Sequence, residues 1–123
     1  MHYYTLLCVV RILKDNINKM DVFNKFIIET DEELGDCLIL GRVTYHKQLA
    51  FDKEKVKSGG WWREKDGRIT FFGDSQDFGR ATQEQVTDAV MNNKVFTSYI
   101  LEHPINKDYK FSYDRQSEIV ELT

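Results

Sequence analysis

Three polar residues of this sequence, His46, Lys25 and Ser75, have the types and positions needed to hold and react with a phosphate-like group. His46 follows Tyr45 at the predicted start of a helix, where free backbone N–H groups and the positive end of the helix dipole attract anions. An imidazole titrates near neutral pH, so it can accept and return a proton or attack phosphorus. The competing interpretation is an ordinary surface or partly buried histidine.

Lys25 lies in a β-rich segment, residues 22–30, in which side chains alternate between the two faces of a strand. Phe23, Ile27 and Glu29 share its face. One interpretation is a cation that steadies an anionic substrate. The other is a lysine whose stem covers apolar neighbours while its amine reaches solvent.

Ser75 sits in a loop bounded by Gly73 and Gly79, directly after a predicted strand. Glycines let the backbone turn so that N–H groups and a hydroxyl meet at a sheet edge, where an anion can be held. The alternative is a serine that only hydrogen-bonds to its own turn. Together with His46 and Lys25, the loop predicts the phosphate-side wall of a cleft.

The hydrophobic pattern predicts the elements that position these residues. Residues 22–30 and 37–43 are predicted strands, and the second of them is expected near the centre of a sheet. Residues 45–57 predict a helix, which Thr44 opens and the Ser-Gly-Gly run at 58–60 ends.

The second half of the chain carries local turn and capping signals. They predict, in order, a hairpin of strands 61–64 and 68–72 around Asp66-Gly67, a helix opened by a capping box at 82–85 and ended by Asn92-Asn93, a strand at 94–101, and an edge strand or tail at 109–122. The order β-β-α-β-β-α-β predicts an α+β fold, a single domain with a mixed β-sheet flanked by two helices.

Residues 20–103 are expected to form the compact domain. Residues 1–19 are interpreted as an N-terminal extension, either poorly ordered or upstream of the true start. Residues 104–123, which begin with the only proline, are interpreted as a C-terminal extension or edge strand.

Composition narrows the function classes. The 123 residues carry a net charge of −3 with acidic and basic residues interleaved, which argues against nucleic acid or an anionic membrane as partner. Cys8 and Cys37 show neither metal-ligand spacing nor a disulfide pattern, which indicates buried thiols in a reducing cytoplasm. His46, Asp74 and Asp77 make an incomplete ligand set, so no metal and no cofactor are expected. A monomer is expected rather than an obligate oligomer.

Four motifs follow one another in a characteristic order: Lys25-Phe26-Ile27-Ile28, then Tyr45-His46-x-x-Leu49, then Gly59-Gly60, then Ile69-Thr70-Phe71-Phe72-Gly73-x-Ser75-x-x-Phe78-Gly79. This order resembles the protein histidine phosphatases of the Janus/Ocnus family, over roughly residues 22–101. The resemblance implies a small α+β domain that removes phosphate from phosphohistidine, and in some cases phospholysine, without a metal. The implied partner is a phosphorylated protein or a small phosphoramidate.

The resemblance also implies a role for each matching residue. His46 would attack phosphorus or activate water, and Lys25 would support charge at the site. The phosphate would be bound by backbone amides after His46 and by the serine loop, which together comprise Lys47, Gln48, Leu49, Gly73, Ser75 and Asp77.

The chain departs from the family pattern at three places. The predicted helix after His46 is shorter than in the family by several residues. Asp74 and Asp77 bring carboxylates beside the phosphate, which weakens binding unless they point away or pair with a cation. Trp61 and Trp62 stand where the family has a basic residue. They raise an alternative hypothesis, a non-catalytic protein- or ligand-binding member of the same fold with an aromatic surface. Ordinary packing within the hairpin is the simpler interpretation of these tryptophans.

Overall fold

The described residues form one mixed sheet of six strands. The computed structural model describes residues 22–98, 101 and 109–114, and its strands are β1 Phe23–Asp31, β2 Gly35–Val43, β3 Val56–Lys65, β4 Arg68–Phe72, β5 Val95–Thr97 and β6 Lys110–Tyr113. Their order across the sheet is β5-β2-β1-β3-β4-β6. β5 and β6 run parallel to β2 and β4, whereas the other neighbours are antiparallel. β1 and β3 therefore lie at the centre.

Alternation along the strands divides the apolar residues between the two faces of the sheet. One face packs against helix α1 (Gln83–Met91) and has a core formed by Phe26, Ile28, Leu38, Leu40, Trp62, Ile69, Phe71, Ala81, Val86 and Ala89. The opposite face has a smaller core formed by Ile27, Ile39, Val43 and Leu49. Lys25 and Glu29 belong to this second face, as the alternation of β1 predicts.

The hairpin and the capping box are confirmed. Asp66 and Gly67 join β3 to β4 with φ values of 53° and 78°, the left-handed pair that a tight Asp-Gly hairpin requires. Thr82 Oγ1 accepts from the backbone N–H of Gln85 at 3.0 Å, and Gln85 Oε1 accepts from the N–H of Thr82 at 3.0 Å. The helix ends at Asn92, as expected.

The predicted helix at 45–57 is wrong, so the described residues contain one α-helix rather than two. Two short 3₁₀ turns, His46–Leu49 and Lys53–Lys55, replace it. The carboxylate of Glu29 in β1 accepts the backbone N–H groups of Phe51 at 2.9 Å and Asp52 at 3.2 Å, which draws the intervening segment across the sheet. A contact between residues so far apart in sequence overrides the local helical pattern.

The Ser-Gly-Gly run at 58–60 is also not a helix terminator. It lies inside β3, where Ser58, Gly59 and Gly60 pair with Ile28, Ile27 and Phe26. The confirmed part of the predicted fold is therefore an α+β domain with a mixed sheet.

β5 lies within the strand predicted at 94–101 but spans only Val95–Thr97. β6, Lys110–Tyr113, is an edge strand within the segment 109–122 that was predicted as an edge strand or tail. The extension predicted at 1–19 lies outside the described residues, as do most of residues 104–123.

Candidate functional site

A pocket of about 290 Å³ opens on the second face of the sheet, away from α1. It lies between β1, β3, the first 3₁₀ turn and the loop that follows β4. Its lining residues are Lys25, Tyr45, His46, Trp61, Asp74, Gln76 and Asp77. Three of the predicted site residues, Lys25, His46 and Asp77, thus come together in one place.

Lys25 is held in a fixed position on the floor of this pocket. It is buried and pairs across the sheet with Trp61. Its Nζ donates to the carbonyl oxygen of Thr44 at 2.6 Å and lies 4.6 Å from the centre of the Trp61 ring and 5.7 Å from that of Phe23. Burial lowers the pKa of Lys25, and the negative charge of Asp77 opposes that shift. The lysine therefore does not snorkel freely into solvent.

His46 is buried beneath the same pocket, and the backbone of β3 fixes its tautomer. Nε2 lies 2.7 Å from the carbonyl oxygen of Gly60. A carbonyl only accepts hydrogen bonds, so Nε2 must carry the proton. Nδ1 has no hydrogen-bond partner among the described residues. Every fully buried side-chain nitrogen of these residues has such a partner, so Nδ1 is not fully buried. Nδ1 is therefore the ring atom that remains accessible.

The pKa of His46 falls from its ordinary value of 6.5 to about 4. Burial is the main cause; the hydrogen bond to Gly60 opposes it, and the positive charge of Lys25 adds to it. The negative charges of Asp77 and Asp74 act in the opposite direction and raise the pKa of His46. At neutral pH the imidazole is therefore uncharged, with a lone pair on Nδ1, which is the form that a nucleophile or general base needs.

Gly59 allows His46 and the serine loop to approach the sheet. A Cβ at this position would lie 2.8 Å from the carbonyl oxygen of Phe26 and 3.1 Å from both His46 Cδ2 and Ser75 Cβ. The backbone oxygen belongs to a central strand and cannot move aside. The absence of a side chain here is a condition for the packing of the site.

We expect Gly59→Ala to lower the free energy of unfolding by about 1–3 kcal/mol, because the added methyl group overpacks a rigid region. The His46 ring should be displaced as well. Urea unfolding and the ring ¹⁵N chemical shifts of His46 measure the two effects. An unchanged unfolding midpoint together with unchanged ring shifts would contradict the packing described at Gly59.

Ser75 lies behind His46 and does not line the pocket. Its Oγ accepts the backbone N–H of Phe78 at 3.2 Å, and its own N–H donates to the carbonyl oxygen of Gly79 at 3.2 Å. Gly79 in turn accepts from the N–H of Gly59 at 3.0 Å, which attaches the loop to β3. The amide that was predicted to face an anion is thus engaged within the loop, and the hydroxyl oxygen accepts a hydrogen bond there. Gly73, with φ 71°, turns the chain beneath Trp61.

The three residues after His46 also lie outside the pocket lining. Lys47 is exposed, with its Nζ 5.5 Å from the centre of the Tyr45 ring. Gln48 closes its own turn, because Oε1 accepts from the N–H groups of Thr44 at 3.0 Å and Tyr45 at 2.8 Å. The side chain of Leu49 is buried in the second core.

Asp74 and Asp77 place two carboxylates in the pocket wall. Neither forms an ion pair with a cation in the described part of the chain. Asp77 acts electrostatically on both Lys25 and His46. The pairing with a cation that would relieve these charges is therefore not formed by direct contact with Lys25 or Lys47.

The predicted aromatic surface around Trp61 and Trp62 is exposed only in part. Trp62 is buried, and its Nε1 donates to the carbonyl oxygens of Lys25 at 3.1 Å and Gly41 at 3.2 Å. Phe71 and Phe72 of the same hairpin are buried too, so ordinary hairpin packing explains the position of Trp62. Trp61 is half-buried, and its Nε1 donates to the backbone oxygen of Asp74 at 2.8 Å.

Sequence reasoning did not place Tyr45, Trp61 or Gln76 in the pocket lining. For Trp61 the sequence did contain a signal. Trp61 begins a predicted hairpin strand, and such a strand can pair with the strand of Lys25 at the centre of the sheet. Gln76 and Tyr45 gave none, because the conformation of their loops depends on distant contacts.

Two further structural findings concern metals and membranes. No group of three or more His, Cys, Asp and Glu side chains among the described residues is arranged to hold a metal ion. The described part of the chain also contains no helix with the length and apolar character needed to cross a bilayer.

Comparison with known proteins gave no match: no family model fits the sequence, and neither a similar curated protein nor a similar solved structure was found.

Proposed function

We propose that this domain is a metal-independent phosphohistidine or phospholysine phosphatase-like enzyme that uses His46, on a Janus/Ocnus-like fold. The observation that carries the proposal is the state of His46. It is a neutral imidazole with Nε2 fixed by Gly60 and Nδ1 accessible, in the same pocket as the cation of Lys25. The substrate is a phosphorylated protein or a small phosphoramidate.

In the nucleophilic form of the mechanism, Nδ1 of His46 bonds to phosphorus while the P–N bond of the substrate breaks. The electron pair of that bond leaves with the nitrogen. Water then hydrolyses the phosphoryl-histidine, which releases phosphate and restores Nδ1. In the general-base form, Nδ1 instead takes a proton from the water that attacks phosphorus while the P–N bond breaks, and it then gives that proton to the leaving nitrogen.

Lys25 supports both forms by stabilising negative charge on the phosphoryl oxygens. Its Nζ is already oriented by Thr44 and the ring of Trp61, so little reorganisation is needed during the reaction. Phosphoryl transfer depends mainly on such positioning and charge stabilisation. The alternative, a non-catalytic role based on an exposed pair of tryptophans, is not supported, because Trp62 is buried.

The direct test is release of phosphate from phosphohistidine by the wild type in the presence of EDTA. Lys25→Met keeps the unbranched stem and removes the charge, so we expect kcat/KM to fall about 100-fold, the size typical for loss of one preorganised charge-stabilising group. Lys47→Met is the matched control, since Lys47 is exposed and outside the pocket lining. No hydrolysis by the wild type, or equal losses in the two variants, would refute the proposal.

A further inference from the structure

We propose that the pocket selects phosphoryl compounds with a positive charge next to the phosphoryl group, and that Asp74 and Asp77 recognise this charge. The proposal rests on the proposed function, because it places the phosphoryl group beside His46 and Lys25. It adds a charge preference among such substrates and makes Asp74 and Asp77 the residues that determine this preference.

The charges of the lining residues give the first argument. Lys25 is the only lysine or arginine in the lining, whereas Asp74 and Asp77 are both acidic. With His46 uncharged, the lining is net negative by one formal charge. A plain phosphate ester would bring further negative charge and meet repulsion at one wall, since like charges at these distances disfavour each other even near a protein surface.

The arrangement of the groups gives the second argument. His46 is 4% exposed and Lys25 is 8% exposed, so both lie deep, whereas Asp77 is exposed and Asp74 is half-buried. The accessible Nδ1 of the buried His46 is a polar atom without a protein partner in the described part of the chain. A ligand that reaches Nδ1 with its phosphorus therefore leaves its other end beside the carboxylates.

A phosphorylated alkyl amine has the matching distribution of charge. Its nitrogen is basic, so it carries a proton and a positive charge next to the negative phosphoryl oxygens. A carboxylate beside that nitrogen favours the protonated form. When Nδ1 attacks phosphorus, the P–N bond breaks with its electron pair going to nitrogen, and the amine leaves neutral with its protons retained. Water then converts phosphoryl-His46 to free histidine and phosphate.

Binding of two inert compounds tests the charge preference without any turnover. Aminomethylphosphonate and ethylphosphonate have nearly the same shape, but only the first has an ammonium group beside the phosphonate. We expect isothermal titration calorimetry to show that the wild type binds aminomethylphosphonate roughly tenfold more tightly, a difference of about 1.4 kcal/mol in binding free energy, because its ammonium group is attracted by two carboxylates. The double variant Asp74→Asn/Asp77→Asn should bind the two equally.

Asp66→Asn is the control, because it makes the same type of substitution in the hairpin turn, where it removes one carboxylate outside the pocket lining, and asparagine tolerates the positive φ of this position. It should keep the wild-type preference. Equal affinities in the wild type, a preference that persists in the double variant, or binding of neither compound would overturn the inference. Hydrolysis of phosphohistidine by a wild type without this preference would leave the proposed function standing and remove only the selectivity.

Two substrates separate the possible sources of the charge. N-phospholysine carries it on the phosphorylated nitrogen, whereas a phosphohistidine peptide with a flanking arginine carries it on a neighbouring side chain. The substrate whose kcat/KM falls in the double variant identifies the source. Unchanged kcat/KM values for both would overturn the inference.

Discussion

His46→Gln is expected to lower kcat for phosphohistidine hydrolysis by about 100- to 10,000-fold, the range for loss of a positioned base, and it would also remove a nucleophile. Glutamine can still donate its side-chain N–H to the carbonyl oxygen of Gly60, but it has no nitrogen lone pair to replace Nδ1. The hydrogen bond that holds position 46 to β3 is thereby kept while the reactive atom is lost. Steady-state kinetics, with unfolding curves to show that the variant folds, measure the effect.

The same reaction also distinguishes the two forms of the mechanism. If His46 is the nucleophile, rapid quenching of the wild type with ³²P-labelled substrate leaves label on the protein in an acid-labile, base-stable bond. If His46 is a base, no label is retained. A rate for His46→Gln within tenfold of the wild type would contradict both forms and assign the reaction to another group.

The second large effect concerns stability at acid pH. The pKa of His46 is lowered from 6.5 to about 4 because its charged form is disfavoured in the buried site. As the pH falls, His46 therefore becomes protonated in the unfolded chain before it does so in the folded protein. The contribution of neutral His46 to the free energy of unfolding, which is fully present above pH 6.5, is lost as the pH falls toward 4. Each pH unit in this window costs about 1.4 kcal/mol, so the total is about 3 kcal/mol.

We therefore expect the free energy of unfolding of the wild type to drop between pH 7 and pH 4 by about 3 kcal/mol more than that of His46→Gln. Urea unfolding at several pH values measures both proteins. The acidic groups are common to the two, including Glu29, whose pKa is raised by burial, so their contributions cancel in the comparison. Parallel pH profiles would show that His46 is not buried as a neutral ring.

Elements with local signals were predictable from the sequence. The Asp66-Gly67 hairpin and the Thr82-Gln85 capping box each depend on a few adjacent residues, and both are observed. Alternation in β1 also placed Lys25 on the face away from Phe26, because strand geometry alone determines that relation.

The segment after His46 was not predictable in this way. Its apolar spacing fits a helix, but the carboxylate of Glu29 binds the N–H groups of Phe51 and Asp52 and keeps the chain extended there. Because this helical spacing precedes them in the sequence, the glycines at 59 and 60 look like a helix terminator. Their function becomes clear only when Phe26, His46 and Phe72 are seen packed against them.

For the candidate site, the sequence identified Lys25, His46 and Asp77, which do share a pocket. It could not show that Ser75 Oγ accepts a hydrogen bond from the backbone N–H of Phe78, since a turn of the same composition could leave that oxygen without this bond. It also could not show that Trp62 is buried, because hairpin tryptophans occur on either face of a sheet.

The hydrogen bond between His46 and Gly60 has a consequence for how this site can vary. The acceptor is a main-chain carbonyl, so every residue type at position 60 would offer the same oxygen. The tautomer of His46 is thus determined by the register of β3 against β1, in which Gly60 faces Phe26. A point substitution can crowd the ring or displace it, but only a shift in strand pairing would remove the carbonyl group that leaves Nδ1 as the unprotonated nitrogen.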